Sequence, residues 1–582
     1  MRSPIAPITI TCLALTFLAF APSAQAQVFV ERAEFGAGST IPIAWADAND
    51  DGALDLAVGN YGGGNLLFIN DGRGVFTGES QFGVGATFAI VWADFDEDGD
   101  PDLAVGIGLN TQNYLYINNA DGTFTQQPQF GADRTIAVAW GDCDHDGDLD
   151  MALGNGILQL PEQNRLYRNN GDGSFTAEDQ FGIGESVSVA WGDCDNDGDL
   201  DLAVGNGGFH APGRNYLYVN NGDGSFTEEE QFGLGDTASV AWADADNDGD
   251  LDLAVGNWND GQNYLYVNNG DGTFTPRAAF GARDTNTIAW GDYDNDGDLD
   301  LAVGNGDFVS ADQNYLYVNA GDGTFTEAPA FGLGSTDSVA WADADGDGDL
   351  DLAAGNEHSP TQNYLYENRS AVGSWLAIEL EGQHHLRGAG WSNRAAIGAK
   401  VSAYLAGHAG EPGSLLGHRE VAAHGGFSSQ NGRDAWFGLG SETAVDLIVR
   451  WPGSGGQSLT QTFASMDINL VLSLVEGEPL LHAPRPGTAG RVNLLRASGA
   501  PEGRRVHFVW GFSAGSTPIP GCGGVAVDLA NPRIAGSAIA NAAGEARLNV
   551  FVPAAASGRT VLLQAVVQEA CATSNLIRHT FQ

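Results

Sequence analysis

Positive charge is scarce in this chain. Its 582 residues carry 25 Lys and Arg against 75 Asp and Glu, a formal net charge of −50. A surface so acidic repels phosphate backbones, which excludes nucleic acid as its partner. Sulfur is scarce as well, with five Cys and three Met. There is no Cys-x-x-Cys and no His-Glu-x-x-His, so zinc-ribbon and zincin chemistry have no motif to rest on. After the first 27 residues no apolar run is long enough to cross a membrane as a helix. The opening MRSPIAPITITCLALTFLAFAPSAQAQ has Arg2, an apolar stretch and an Ala-x-Ala ending at Ala26. That pattern predicts a secretory signal peptide over residues 1–26 and a secreted or cell-surface product. Export permits a disulfide, and Cys522 and Cys571 are the expected pair.

The acid is unevenly spread. Residues 27–370 hold 61 acidic and 9 basic side chains, and the remainder holds 14 and 16. Within the acidic region one motif recurs. In DCDNDGDLDLAVGN, Asp193, Asp195, Asp197 and Asp201 stand at loop positions 1, 3, 5 and 9, with Gly198 at position 6 for a sharp turn. Alternate carboxylates in a tight loop suit Ca²⁺, which takes about 6–8 oxygen ligands in irregular geometry. An EF-hand is excluded, because position 12 is Val204 and LDLAVGN alternates like a strand. The same register gives Asp47, Asn49, Asp51 and Asp55, then Asp94, Asp96, Asp98 and Asp102, then Asp142, Asp144, Asp146 and Asp150. It returns as Asp244, Asp246, Asp248 and Asp252, as Asp292, Asp294, Asp296 and Asp300, and as Asp343, Asp345, Asp347 and Asp351. Seven loops predict about seven Ca²⁺ per chain, each offsetting repulsion within its loop.

The loops begin 47 to 51 residues apart, and each sits in the same surroundings. In the fourth unit SVSVAW, LDLAVGN, NYLYVN and GSFT read as strands A to D of a β-meander. Four strands per repeat of this length predict a propeller blade, and seven repeats a seven-bladed propeller over residues 27–370. The last unit lacks a strand D. The N-terminal VFVERAEFG matches that strand and is expected to complete the last blade, which removes an open edge. A Trp precedes every loop and is expected to pack between blades. Cys143 and Cys194, at loop position 2, are expected as free thiols.

These units resemble the FG-GAP (VCBS-type) repeat of integrin α-chain propellers, in the FG dipeptide (Phe181–Gly182) and in the D-x-D-x-D-G-D-L-D-L loop. The resemblance implies a calcium-binding all-β propeller. Residues 371–482 leave the repeat and resemble the ASPIC/UnbV domain, through Asn393, Ile397, Gly398, Val401, Arg419–Val421, Ser429, Phe437–Gly440 and Trp451–Pro452. Residues 483–582, with RVHFVWGF, ARLNVFVP and TVLLQAVV, are expected as a small β-sandwich. The resemblance supplies an architecture and no reaction.

The sequence offers no catalytic motif in the context it would need. GFSAG (Gly511–Gly515) matches a nucleophile elbow, but STPIPGCGG after it cannot be the required helix. His145, His384 and His385 read as surface residues. If strands A and B hold the metal loops at one end, the B–C and D–A connections emerge at the other. The B–C loops vary most and offer Phe209, His210, Trp258 and Phe308 as exposed anchors. The expected function is therefore binding of an extracellular protein or glycan. The rival readings are a propeller lyase or hydrolase, with Arg134, Arg214 and Arg283 as its only hints, and a structural surface protein.

Overall fold

The computed structural model describes residues 29–582, apart from 33–34, 37, 80–81, 110, 122, 128–129, 208–211, 260, 307–310, 329–330, 358–361, 371–372, 424–425, 454–457, 521 and 523–524. Among the described residues the chain is built almost wholly of strands. The fourth unit shows the plan of the acidic region. Strands A to D are Ser186–Gly192, Asp201–Asn206, Tyr216–Asn220 and Phe226–Glu229, hydrogen-bonded in that order as an antiparallel sheet. The other six units repeat this order. In the seventh, strand D is Phe29–Arg32, antiparallel to Tyr364–Asn368 with Phe29 opposite Asn368 and Arg32 opposite Leu365. The two ends of the acidic region are thereby sewn into one sheet.

Each unit's inner strand lies against the next unit's, and the seventh lies against the first, so the sheets close a ring. Strand B is covered on both faces, so DLAVGN is buried along its full length and reads as a near-continuous apolar run. The FG dipeptide has a physical basis. Phe181 packs edge-on against Trp191 and Phe226 and tilts onto Tyr218. Gly182 follows at φ +67°, where a Cβ would stand 2.9 Å from the Tyr218 hydroxyl. Only glycine admits both that backbone and that approach.

Two polar seams join the units. The Trp before each loop lies between units, as its recurrence predicts. Trp45, Trp92, Trp191, Trp242, Trp290 and Trp341 donate Nε1–H to Ala340, Ala44, Ala139, Ala190, Ala241 and Ala289, each carbonyl on the preceding inner strand, at 3.1–3.3 Å. The second seam was not anticipated. Asn70, Asn118, Asn169, Asn220, Asn268, Asn319 and Asn368, which end strand C, donate Nδ2–H to the carbonyls of Ala344, Ala48, Phe95, Cys143, Cys194, Ala245 and Tyr293. Every acceptor is loop position 2 of the preceding unit, so the seam runs round the ring without a gap.

Two smaller β regions follow. Ala435–Gly440, Ser374–Glu381 and Val471–Val475 form one sheet, and Leu415–Glu420, Lys400–Leu405, Val445–Trp451 and Leu459–Met466 another. They enclose a core of Ile378, Val401, Phe437, Leu447, Trp451 and Phe463. Beyond them, Leu480–Arg485, Arg491–Ser498 and Ala546–Val552 face a second sheet built on Arg505–Gly511 and Thr560–Val567 around Leu495, Phe508 and Ala565. Cys522 and Cys571 are bonded there, with Cα atoms 5.4 Å apart. Cys143 and Cys194 are free and buried.

The asparagine seam yields a test. Asn220→Ala strands the buried carbonyls of Cys143 and Leu200. We expect a loss of about 1–3 kcal/mol, measured by chemical denaturation of the full chain. A loss within experimental error would show that the seam carries no stability.

Candidate metal loops and the domain docked on them

Each loop is wound by its own backbone amides. The amide of Gly198 donates to Asp193 Oδ2 at 3.1 Å, and those of Asp197 and Asp199 donate to Asp195 and Asp197. The Gly-to-position-1 bond recurs in all seven loops at 2.7–3.2 Å. The result is convergence. One oxygen each from Asp193, Asp195 and Asp197 lie within 4.8 Å of one another, as do those of Asp142, Asp144 and Asp146 and of Asp244, Asp246 and Asp248.

A hard cation fits these loops on two counts. The first is unpaired oxygen. Asp94, Asp142 and Asp193 at position 1, and Asp246, Asp294 and Asp345 at position 3, each bury a carboxylate Oδ1 with no hydrogen-bond donor. A buried anionic oxygen without a partner is costly, and a cation supplies what the chain does not. The second is charge. Burial pushes the carboxyls of Asp94, Asp244, Asp292 and Asp343 up to about 7. Such groups ionise readily only when a positive charge stands beside them.

The position-9 aspartates, expected as ligands, also carry a structural clasp. Asp201 accepts the Asn220 amide at 2.8 Å and the Cys194 amide at 3.1 Å, one on each oxygen. Asp55, Asp150, Asp252, Asp300 and Asp351 repeat this clasp between loop and strand C. The exception is Asp102, whose Oδ2 is unpaired and joins Asp94 and Asp96 in a converging group.

Position 4 links neighbouring loops. Asn196, Asn247 and Asn295 donate to Asp250, Asp298 and Asp349, the position-7 residues of the following units, at 2.7–3.0 Å. His145, expected at the surface, is half-buried and places Nε2 2.8 Å from Asp199 Oδ1 at the equivalent junction, an ion-pair contact in place of the asparagine hydrogen bond.

The loop face is covered by the first of the two β regions. Lys400, the sole lysine of the chain, places Nζ 2.7 Å from Asp193 Oδ2 and donates to the Asn196 side chain. Arg394 lies 3.7 Å from Asp94. Buried Arg419 faces Asp292 and Asp244, and the Gly438 amide donates to Asp292 at 3.0 Å. Trp436 donates to Asn295. Ala395 and Ile397 pack among Phe95, Trp140 and Leu149. Several residues behind the second resemblance therefore form the docking surface. A chamber of about 600 Å³ remains beneath the domain, walled by Asp47, Asp94, Asp343, Glu379 and Asp434.

From the same domain a segment enters the ring. Ser429 and Gln430 pair in parallel with Ile43 and Ala44 of the first inner strand. Gln430 accepts the Trp92 amide and donates to its carbonyl, and Asn431 accepts from Trp341 and donates to Trp290. Phe427 takes a hydrogen bond from Thr287 on its carbonyl and gives one from its amide to Ser239. Five of the seven inner strands are touched in this way, and Ala423 bridges Trp140 on a sixth. An inner strand is a sheet edge, and its outward amides and carbonyls need partners. Gly426 passes so close that a Cβ would meet the Ile288 carbonyl at 2.1 Å. Nothing in the alternation of HGGFSSQNGRDAW predicts this plug. Its run of small and amide side chains between glycines is the signal that could have done so.

Trp258 is a correction. Expected as an exposed anchor, it is 8 % exposed, donates Nε1–H to Asn286 at 2.7 Å and meets Phe427 edge-on. Its loop turns inward to cap the plug. Phe209, His210 and Phe308 lie outside the described residues. Arg134 and Arg214 are paired with Glu162 and Glu230, and Arg283 stacks over Tyr315, so they assemble no common site.

Comparison with known proteins places this architecture. The FG-GAP-like repeat matches residues 47–105, 94–153, 157–204, 207–255, 244–303 and 304–354. The ASPIC and UnbV description matches 389–480. No curated protein matches. Among solved structures, BBS1N in complex with ARL6DN is 14% identical, covering 59% of this chain and 98% of its own, with a TM-score of 0.39. A fungal alcohol oxidase of the AA5 family in complex with copper is 11% identical, covering 85% and 97%, with a TM-score of 0.28. The chain belongs to the FG-GAP-like repeat family, as a β-propeller protein in which an ASPIC/UnbV domain follows the repeats.

Proposed function

We propose that this is an exported, calcium-stabilised propeller that binds an extracellular protein through the face opposite its acidic loops. The observation that carries the reading is where apolar surface remains. The loop face lies under the ASPIC/UnbV domain and the channel is occupied by the plug. On the opposite face, Val84, Ile183, Leu234 and Leu333 are 81, 70, 69 and 58 % exposed. All four follow the FG dipeptide on a D–A connection, and Leu158 and Leu160 of a B–C loop stand exposed beside them. Exposed aliphatic groups recurring on one face mark a protein-interaction surface. Aliphatic rather than aromatic character favours a protein over a glycan, since sugars stack on rings.

Calcium in this reading holds the scaffold. Asp197→Ala removes a position-5 ligand that accepts the exposed Asp199 amide. Asp201→Ala leaves two buried backbone amides unpaired. In chelator, Asp197→Ala is expected to cost within about 1 kcal/mol and Asp201→Ala about 2–4 kcal/mol. Calcium should raise the wild-type melting temperature markedly and that of Asp197→Ala less. Identical melting with and without calcium would overturn the calcium role.

The binding face is tested with an array of extracellular proteins and glycans, probed in calcium. The double variant Ile183→Ser/Leu234→Ser should weaken binding to the protein hit about tenfold or more, with melting unchanged. A variant that binds as wild type does, or an array hit confined to glycans, would refute this face as a protein site.

A further inference from the structure

The position-4 to position-7 link is absent at three of the seven junctions, where the pairs are Asp50 and Asp100, Glu97 and Asp148, and Gly346 and Ala53, and the second of these is informative because a third group joins it. Between units four and five, five and six, and six and seven, an asparagine donor (Asn196, Asn247 or Asn295) meets an aspartate, and between units three and four His145 stands 2.8 Å from one. Between units two and three, position 4 is Glu97 and position 7 is Asp148. Two carboxylates face each other where every asparagine-linked junction has a donor and an acceptor. The ASPIC/UnbV domain supplies the third group. His384, at the start of the short helix His384–Arg387, puts Nδ1 3.0 Å from Glu97 Oε2. One ligand atom each of Glu97, Asp148 and His384 lie within 4.8 Å of one another.

We propose that Glu97, Asp148 and His384 form a zinc site, built from loop side chains other than the calcium ligands, that ties the ASPIC/UnbV domain to units two and three. Ligand chemistry decides the metal. Ca²⁺ takes an all-oxygen shell, whereas an imidazole with two carboxylates is a ligand set for Zn²⁺. Charge balances, since two carboxylates and a neutral imidazole neutralise one Zn²⁺. The spacing is also near what zinc requires. Bonds of about 2.0–2.1 Å set tetrahedral ligands about 3.3 Å apart, and the Glu97–His384 contact is already 3.0 Å. The groups are held in place before a metal arrives. The Arg394 amide donates to Glu97 Oε1 at 3.1 Å, which leaves Oε2 toward the imidazole. The ring of His384 lies over Gly147, where a Cβ would stand 2.4 Å from Cδ2. A backbone bond that orients a ligand in this way is a regular support of zinc centres. Glu97, His384 and Asp148 are all half-buried.

The test uses the full chain in saturating calcium, so that the loops do not compete. Zn²⁺ is titrated by calorimetry, and Co²⁺ is used in parallel for its tetrahedral absorption. Wild type should take up one Zn²⁺ per chain and show the cobalt spectrum. Glu97→Gln keeps the side-chain shape and His384→Ala removes the imidazole, and each should abolish both signals while calcium content stays the same. If His384→Ala disturbs docking of the domain, Glu97→Gln decides alone. No zinc uptake by wild type, or zinc uptake retained in Glu97→Gln, would overturn the site.

Discussion

Repulsion between carboxylates governs this molecule. Seven loops each draw three or four acidic or amide side chains into one small volume, and six of them bury an oxygen with no donor at all. A fold that does this needs positive charge from somewhere. Part of it comes from the chain itself, and it is placed with economy. The only lysine, Lys400, and two arginines, Arg394 and Arg419, all come from the ASPIC/UnbV domain and stand beside position-1 aspartates. Three cations cannot balance a region that holds 61 acidic and 9 basic side chains. The proposed calcium ions would offset a further share of it, two charges per loop.

That need explains why the two families of domain travel as one body here. The ASPIC/UnbV domain caps the acidic face, lends its cations and sends Gly426–Gly432 down the channel to satisfy inner-strand amides and carbonyls. A ring with an open channel would leave those groups to water, and the plug replaces water with fixed partners. The cost of this arrangement is a blocked channel and a covered loop face. The partner surface proposed above lies at the opposite end, on the D–A and B–C connections.

Much of this was legible in the residues. Loop spacing, the strand assignments of the fourth unit, the outer strand borrowed from the N-terminus and the packing role of the tryptophans all follow from local pattern, because each is written within one repeat. What was not legible depends on contacts between repeats or between domains. Asn220 is plain in YVNN, but its acceptor, the Cys143 carbonyl, lies 77 residues back. Asp201 looks like any other loop carboxylate until the two amides it holds are seen. Trp258 sits in a variable loop and so resembles an exposed anchor, yet it is buried because Phe427, 169 positions later, arrives beneath it. His384 and His385 are unremarkable neighbours in sequence, and only docking sets His384 between two carboxylates.

The central claim is that each acidic loop needs its own divalent ion. The most direct measurement is the number of calcium ions bound per folded chain, by calorimetry on metal-stripped protein together with elemental analysis after dialysis against calcium. Seven loops of one register predict about seven ions per chain, bound with a large gain in melting temperature. A folded chain that binds no calcium, or only one or two ions, would contradict the account.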